Sequence, residues 1–197
     1  MTSTCAAFYR GGFDDASDNS PAPVANGVSL AVPYRSQEDP DARHYRNDCG
    51  PACVGMLIEW AGLPALPTDT LSAETSLAQH DDGLACWSLA ALARRHGVNM
   101  QTASDLTLDA VKAELDAGRP LIALISYSYI KERQNQADGA GHFVVVRGYD
   151  AEHVYINDPD FWTAQRNRGE NFAVPAAEFE NAIKYSPSRY TGVIIRS

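Results

Sequence analysis

Residues 47–62 read NDCGPACVGMLIEWAG, and this stretch carries the strongest indication of how the chain folds. Its second half places apolar side chains at Val54, Leu57, Ile58 and Trp60, the three-and-four spacing of one helical face. Pro51 stands where the first turn of a helix tolerates proline, and Gly62 stands where a helix is stopped. The pattern predicts a buried helix that opens out of a polar loop, with Cys49 at the junction. A helix N-terminus presents backbone N–H groups without intrahelical partners and a positive partial charge, and both favour thiolate over thiol. Cys49 is therefore a candidate nucleophile, weighed against the ordinary fate of a lone cysteine as a small buried hydrophobe.

Working outward, Val28–Tyr34 (VSLAVPY) alternates like a strand, and the charged run 36–48 (SQEDPDARHYRND) reads as a surface loop. Residues 1 to about 27 are rich in Ser, Asp, Gly, Pro and Ala without either period, so a flexible leader or linker is expected there, with 28–197 as one domain. Beyond the first helix, WSLAALARR (87–95) closed by Gly97 and the segment 108–117 closed by Gly118 predict two more helices. After Arg119 and Pro120 the character changes to short apolar runs: LIALISY (121–127), HFVVVRGY (142–149), HVYIND (153–158) and TGVIIRS (191–197). These read as strands, with a polar, aromatic-dotted loop over 159–172 and a short helix over 174–183 between the last two. Helices followed by an antiparallel sheet make an α+β fold.

Composition bounds the function. The chain has 197 residues, 45% hydrophobic and 21% charged, which suits a single globular domain and argues against disorder or a fibre. No window approaches about 18 uninterrupted apolar residues, and no basic flank precedes an apolar run at the start, so neither a membrane span nor a secretory signal is visible. A cytoplasmic location, or one the sequence does not encode, is the resulting expectation. A net charge of -9, from 25 acidic and 16 basic side chains, repels phosphates and disfavours nucleic-acid partners. Cysteines at 5, 49, 53 and 86 are too sparse for a disulfide scaffold.

A second chemical signal lies in GHFVVVRGYDAEHVYINDPD, residues 141–160. It reads as a hairpin turning near Asp150 and Ala151, in which facing residue numbers sum to about 301, so His142 falls opposite Asp158 or Pro159. An imidazole and a carboxylate then meet at the open end of the hairpin, where the acid accepts from one ring nitrogen and leaves the other for a thiol. Taken singly, a strand-end histidine and an aspartate before proline are ordinary structural features. Together with Cys49 they suggest catalysis.

The motifs Ser36–Gln37, Asp48–Cys53 (DCGPAC), Gly141–Val146 (GHFVVV) and Ile156–Pro159 (INDP) occur in an order that resembles the papain-like cysteine peptidases typified by bacteriocin-leader-processing domains, also called double-glycine peptidases. The likeness is closer to the stand-alone branch not fused to an ABC transporter, and it spans roughly Val32 to the C-terminus. It implies a papain-like fold, with the nucleophile helix packed on the sheet, and peptide-bond hydrolysis through a thioester. It further implies Cys49 as nucleophile, His142 as general base and acid, Asp158 as the residue orienting the histidine, and Gln37 as an oxyanion donor beside the Cys49 backbone N–H. Twelve positions separate Gln37 from Cys49, so the loop 38–48 must fold back.

The expected partner is a peptide or protein substrate. Cleavage after small residues such as Gly-Gly is what the resemblance suggests. Transfer of the acyl group to an amine, as in transglutaminase-like enzymes, and an inactive peptide-binding module remain as alternatives. Phe161 and Trp162 follow Asp158 closely, and Trp162 is a candidate substrate-binding residue. No metal or other cofactor is expected: Cys53 with Cys49 and His142 lacks a CxxC pair, and the acidic run after Gln37 lacks the alternation and glycine of a calcium loop. Cys53 reads as core.

Overall fold

Alternate residues of the run 121–125 belong to two different cores. Ile122 and Leu124 join one, Leu121, Ala123 and Ile125 the other, and all five are buried. A strand sends successive side chains to opposite faces, so this sheet is covered on both. The computed structural model describes residues 27–38, 47–76, 83–136, 141–161 and 165–196. Its elements run β1 (Val28–Ser29), α1 (Cys49–Trp60), α2 (Thr68–Ala73), α3 (Cys86–Arg95), β2 (Met100–Ala103), α4 (Leu108–Asp116), β3 (Leu121–Ile125), β4 (His142–Tyr149), β5 (His153–Asn157), α5 (Arg166–Gly169), β6 (Phe172–Pro175), α6 (Ala176–Lys184) and β7 (Gly192–Ile195). Two 3-10 turns, Tyr127–Tyr129 and Lys131–Gln136, follow β3.

Every ladder is antiparallel, in the order β2-β7-β3-β4-β5-β6. The short β1 pairs with the last residues of β4, Gly148 and Tyr149, where β3 no longer runs alongside. Residues of α1, α2 and α3 share the first core with Phe143, Val145 and Val193; residues of α4 and α6 share the second with Val144, Val146, Val154 and Ile156. The fold is α+β, as the sequence predicts. The helices do not form one separate layer, because α4 crosses to the face opposite α1.

Gly62, Gly97 and Gly118, the expected helix stops, all have positive φ (74°, 87° and 72°), the left-handed conformation that closes a helix at little steric cost to glycine. The strand expected over Val28–Tyr34 is shorter, since after Ser29 the chain leaves the ladder and the carbonyls of Val32 and Pro33 are held by the Asn157 side chain. The strands β2 and β6 and the helix α2 lie in stretches without a clear apolar period. Among the described residues no helix is long and apolar enough to cross a membrane.

The expected hairpin forms, but with a different register. Its turn has three residues, 150–152, because the Asp150 carboxylate accepts from the backbone N–H groups of Glu152 (2.8 Å) and His153 (2.7 Å) and from the Tyr155 hydroxyl (2.6 Å). A further irregularity falls between Val146 and Gly148, and the ladder ends with Val145 opposite Asn157. Asp158 has no strand partner. The expected leader at 1–27, apart from Gly27, lies outside the described residues, as do positions 39–46 of the expected loop and Trp162.

Candidate active site

Three strand ends meet at one edge of the sheet. β4 begins at His142, opposite Ile125 where β3 ends, and β5 ends just before Asp158. Helix α1 starts at Cys49, and nearly all of it is buried against the first core. Gly50 lies so close to α3 that a Cβ there would come within 2.7 Å of Leu89, which keeps the first turn of α1 tight against its neighbour. Cys49 itself is half-buried, with its sulfur in hydrogen-bonding reach of His142.

His142 is 8% exposed, and its Nε2 lies 2.9 Å from Asp158 Oδ1. With Nε2 engaged by the carboxylate, Nδ1 is the ring nitrogen left for another partner. Burial lowers the pKa of the imidazolium, but the Asp158 carboxylate and then the Cys49 sulfur outweigh burial and lift it to about 10. The charged histidine is therefore the resting form around neutrality. Its ring stacks on Tyr127, with centroids 4.5 Å apart.

Asp158 is fully buried, and its carboxylate is crowded with donors. Besides His142 it accepts from the Tyr127 hydroxyl at 2.7 and 2.9 Å and from the Asp160 N–H at 3.0 Å, and it forms an ion pair with Arg133 Nε at 3.2 Å. Burial raises its pKa, yet His142, Arg133 and Tyr127 together bring it below the ordinary carboxylate value. Its backbone is fixed as well: the N–H donates to the Gly169 carbonyl (2.9 Å) and the carbonyl accepts from the Tyr34 hydroxyl (3.1 Å). Gly169 has to be glycine there, since a Cβ would collide with that carbonyl and that hydroxyl.

Gln37 reaches this region through the residues after Asp158. Its backbone N–H donates to the Pro159 carbonyl at 2.9 Å, and the neighbouring Ser36 hydroxyl donates to the carbonyls of Pro159 (3.2 Å) and Phe161 (2.8 Å). The Gln37 side chain is 4% exposed and its Nε2 lies 3.4 Å from Asp160 Oδ1. Cys49, His142 and Asp158 thus make a continuous chain of polar contacts, with Gln37 held beside its acidic end. Cys53 is wholly buried, directs its thiol at the Phe143 carbonyl (3.4 Å) and is kept protonated by burial. Phe161 is buried as a packing surface, in contact with the guanidinium of Arg133 and the ring of Phe172.

The sequence reading overlooks Tyr127, Arg133 and Asp160. Arg133 is 5% exposed, and its Nη2 donates to the Tyr127 hydroxyl (3.0 Å) and to the Asp160 carboxylate (2.9 Å). The run KERQNQ around it looks like a solvated loop, so nothing in it signals a buried cation.

The fold is that of known peptidases. A C39-like peptidase candidate from Bacillus anthracis superposes with a TM-score of 0.66 at 17% identity, covering 88% of this chain and 98% of that one. A double glycine motif protease from an AMS/PCAT transporter, solved with its leader peptide, gives 0.56 at 17% identity, covering 85% and 93%. The peptidase domain of Streptococcus ComA, a bifunctional ABC transporter, gives 0.55 at 17% identity, covering 76% and 91%. Among curated proteins, none matches. The profile of the Peptidase_C39 like family matches residues 29–193, nearly the whole described fold, and the chain accordingly belongs to that family of papain-like cysteine peptidases.

Proposed function

We propose that the chain hydrolyses peptide bonds through Cys49, His142 and Asp158, with Gln37 assisting. The observation that carries this reading is the position of His142, whose two ring nitrogens serve a thiol at a helix N-terminus on one side and a buried carboxylate on the other. The Cys49 sulfur attacks the carbonyl carbon of the substrate amide. As the C–N bond breaks, His142 gives its proton to the leaving amine, and a thioester to Cys49 remains. Water then attacks the thioester, its proton passes to His142, and the carboxylic acid leaves with the thiolate restored. The negative oxygen formed in each step is met by the Cys49 backbone N–H, and the family resemblance assigns the second donor to Gln37, whose Nε2 is held at the Asp160 end of the site.

The likeness to a double glycine motif protease supports peptides carrying a Gly-Gly pair as first substrates. Wild type and Cys49→Ala are incubated with a peptide mixture that includes Gly-Gly sequences, and the products are read by mass spectrometry. Cleavage by the wild type alone supports the reading; the same products from both, or none from either, overturn it. Repeating the incubation with a primary amine separates hydrolysis from acyl transfer, since transfer leaves an amine adduct on the new C-terminus.

A further inference from the structure

Against the Asp158 oxygen that His142 leaves free lies a buried cation that the acyl-transfer steps do not employ. Arg133 contacts two carboxylates at once, with Nε 3.2 Å from Asp158 Oδ2 and Nη2 2.9 Å from Asp160 Oδ2, and Nη2 donates also to the Asp160 carbonyl at 2.6 Å. The guanidinium packs on the rings of Tyr127 and Phe161, 4.6 and 4.2 Å from their centroids. The Tyr127 hydroxyl accepts from Arg133 and donates to Asp158, while its ring stacks on His142. A buried ion pair rarely adds stability over well-packed apolar side chains, so simple packing is a weak reason for a charge here. The buried Asp158 and the half-buried Asp160 beside it would otherwise compete for a proton, and a protonated Asp158 could no longer stabilise a charged imidazole.

We propose that Arg133 and Tyr127 are positioning residues that keep the Asp158 carboxylate ionised and aimed at His142 Nε2. The proposal rests on the reading of Cys49, His142 and Asp158 as the reacting set. The groups that face Asp158 are His142 from β4, Cys49 and Cys53 from α1, Tyr127 and Arg133 from the 3-10 turns and Asp160 from the following loop, with Glu38 acting on Asp160 and Arg133. Arg133 is the added positive charge in this set. Its removal makes the Asp158 carboxylate harder to form, and a protonated Asp158 no longer stabilises the imidazolium that pairs with the thiolate, so the acid limb moves to higher pH.

The test is the rate of Cys49 alkylation by iodoacetamide across pH, for full-length wild type, Arg133→Met, Arg133→Lys, Tyr127→Phe and His142→Ala, with thermal unfolding alongside. Arg133→Met moves the acid limb of the profile to higher pH, Tyr127→Phe moves it less in the same direction, and Arg133→Lys recovers most of the change. An acid limb unmoved in Arg133→Met, even with a lower melting temperature, overturns the proposal and leaves Arg133 as packing. Should Arg133→Met fail to fold, Tyr127→Phe decides, because it keeps the stacked ring and loses only the hydroxyl. Wild-type labelling no faster than that of His142→Ala would overturn the reading of the reacting set itself. Fast wild-type labelling with unmoved limbs in the variants overturns only the role of Arg133 and Tyr127.

Discussion

Replacing Asp158 with Asn keeps the outline of the side chain and deletes its charge, which isolates what the carboxylate does to His142. The acid is fully buried and 2.9 Å from Nε2. Burial opposes the imidazolium, Asp158 is the larger of the two influences that overcome burial, and the balance stands at about 10. With the charge gone, the Cys49 sulfur is the main influence left against burial, and the pKa of His142 falls to about 8 or lower. A fall from about 10 to about 8 corresponds to about 3 kcal/mol of imidazolium stabilisation.

The consequence for stability has a definite sign. The folded value lies above the roughly 6.5 of an unfolded histidine, so the stabilisation is complete below about pH 6.5 and disappears as pH rises through about 10. Across that window the wild type loses at most about 5 kcal/mol; in Asp158→Asn the window closes near pH 8 and the loss is about 2 kcal/mol. The variant also leaves Arg133 with Asp160 as its remaining carboxylate partner, a further cost of about 3 kcal/mol at neutral pH, or a drop in melting temperature of about 6–12 °C. The assay is an NMR titration of the His142 ring, assigned with His142→Ala, together with urea unfolding at a series of pH values from about 6 to about 10. If His142 titrates at the same pH in wild type and Asp158→Asn, or if the wild-type ring titrates near 6.5, the electrostatic reasoning fails.

Gln37→Ala lowers kcat for peptide cleavage by about 10²-fold to 10³-fold with little change in KM, as expected for a donor used only when the oxyanion forms; an unchanged kcat removes Gln37 from the mechanism. Burial raises the Cys53 thiol pKa far above its usual value and that of Cys86 to about 11. Near neutral pH, iodoacetamide therefore modifies Cys49 ahead of both, and peptide mapping that finds Cys53 or Cys86 labelled first contradicts this. Gly169→Ala drives a methyl group into the Asp158 carbonyl and the Tyr34 hydroxyl. It costs about 1–3 kcal/mol in unfolding free energy and slows Cys49 alkylation by displacing Asp158; a variant with wild-type melting temperature and labelling rate shows that the loop yields freely.

The apolar runs and the glycine stops were legible because each is a local property. Leu121–Ile125 and Phe143–Val146 announce strands through unbroken apolar character, and Gly62, Gly97 and Gly118 end their helices by conformational preference alone. The elements left unread take their stability from partners far along the chain. β2 has only two apolar residues, of which Met100 alone is fully buried, and exists because β7 pairs with it. The helix α2 buries Thr68 and Ser72 alongside Leu71, and Ser72 bonds the Asp48 side chain, so its inward face does not look apolar in the sequence.

The contact between His142 and Asp158 makes the same point more sharply, because the sequence argument reaches it through a register the protein does not have. A two-residue turn with constant pairing puts Asp158 or Pro159 across from His142. In the structure Asp150 caps a three-residue turn, the ladder shifts near Arg147, and pairing stops at Asn157. The two side chains meet because Asp158 leaves the ladder and is held by Gly169 and Tyr34, which lie 11 residues after it and 124 before it in the chain and turn its carboxylate back toward the start of β4. Tyr127 and Arg133 then close around the acid from turns whose sequence has no period to read. What sets the acid in place is tertiary anchoring, so substitutions at Gly169, Tyr127 and Arg133 should disturb His142 more than changes in the hairpin turn at Asp150.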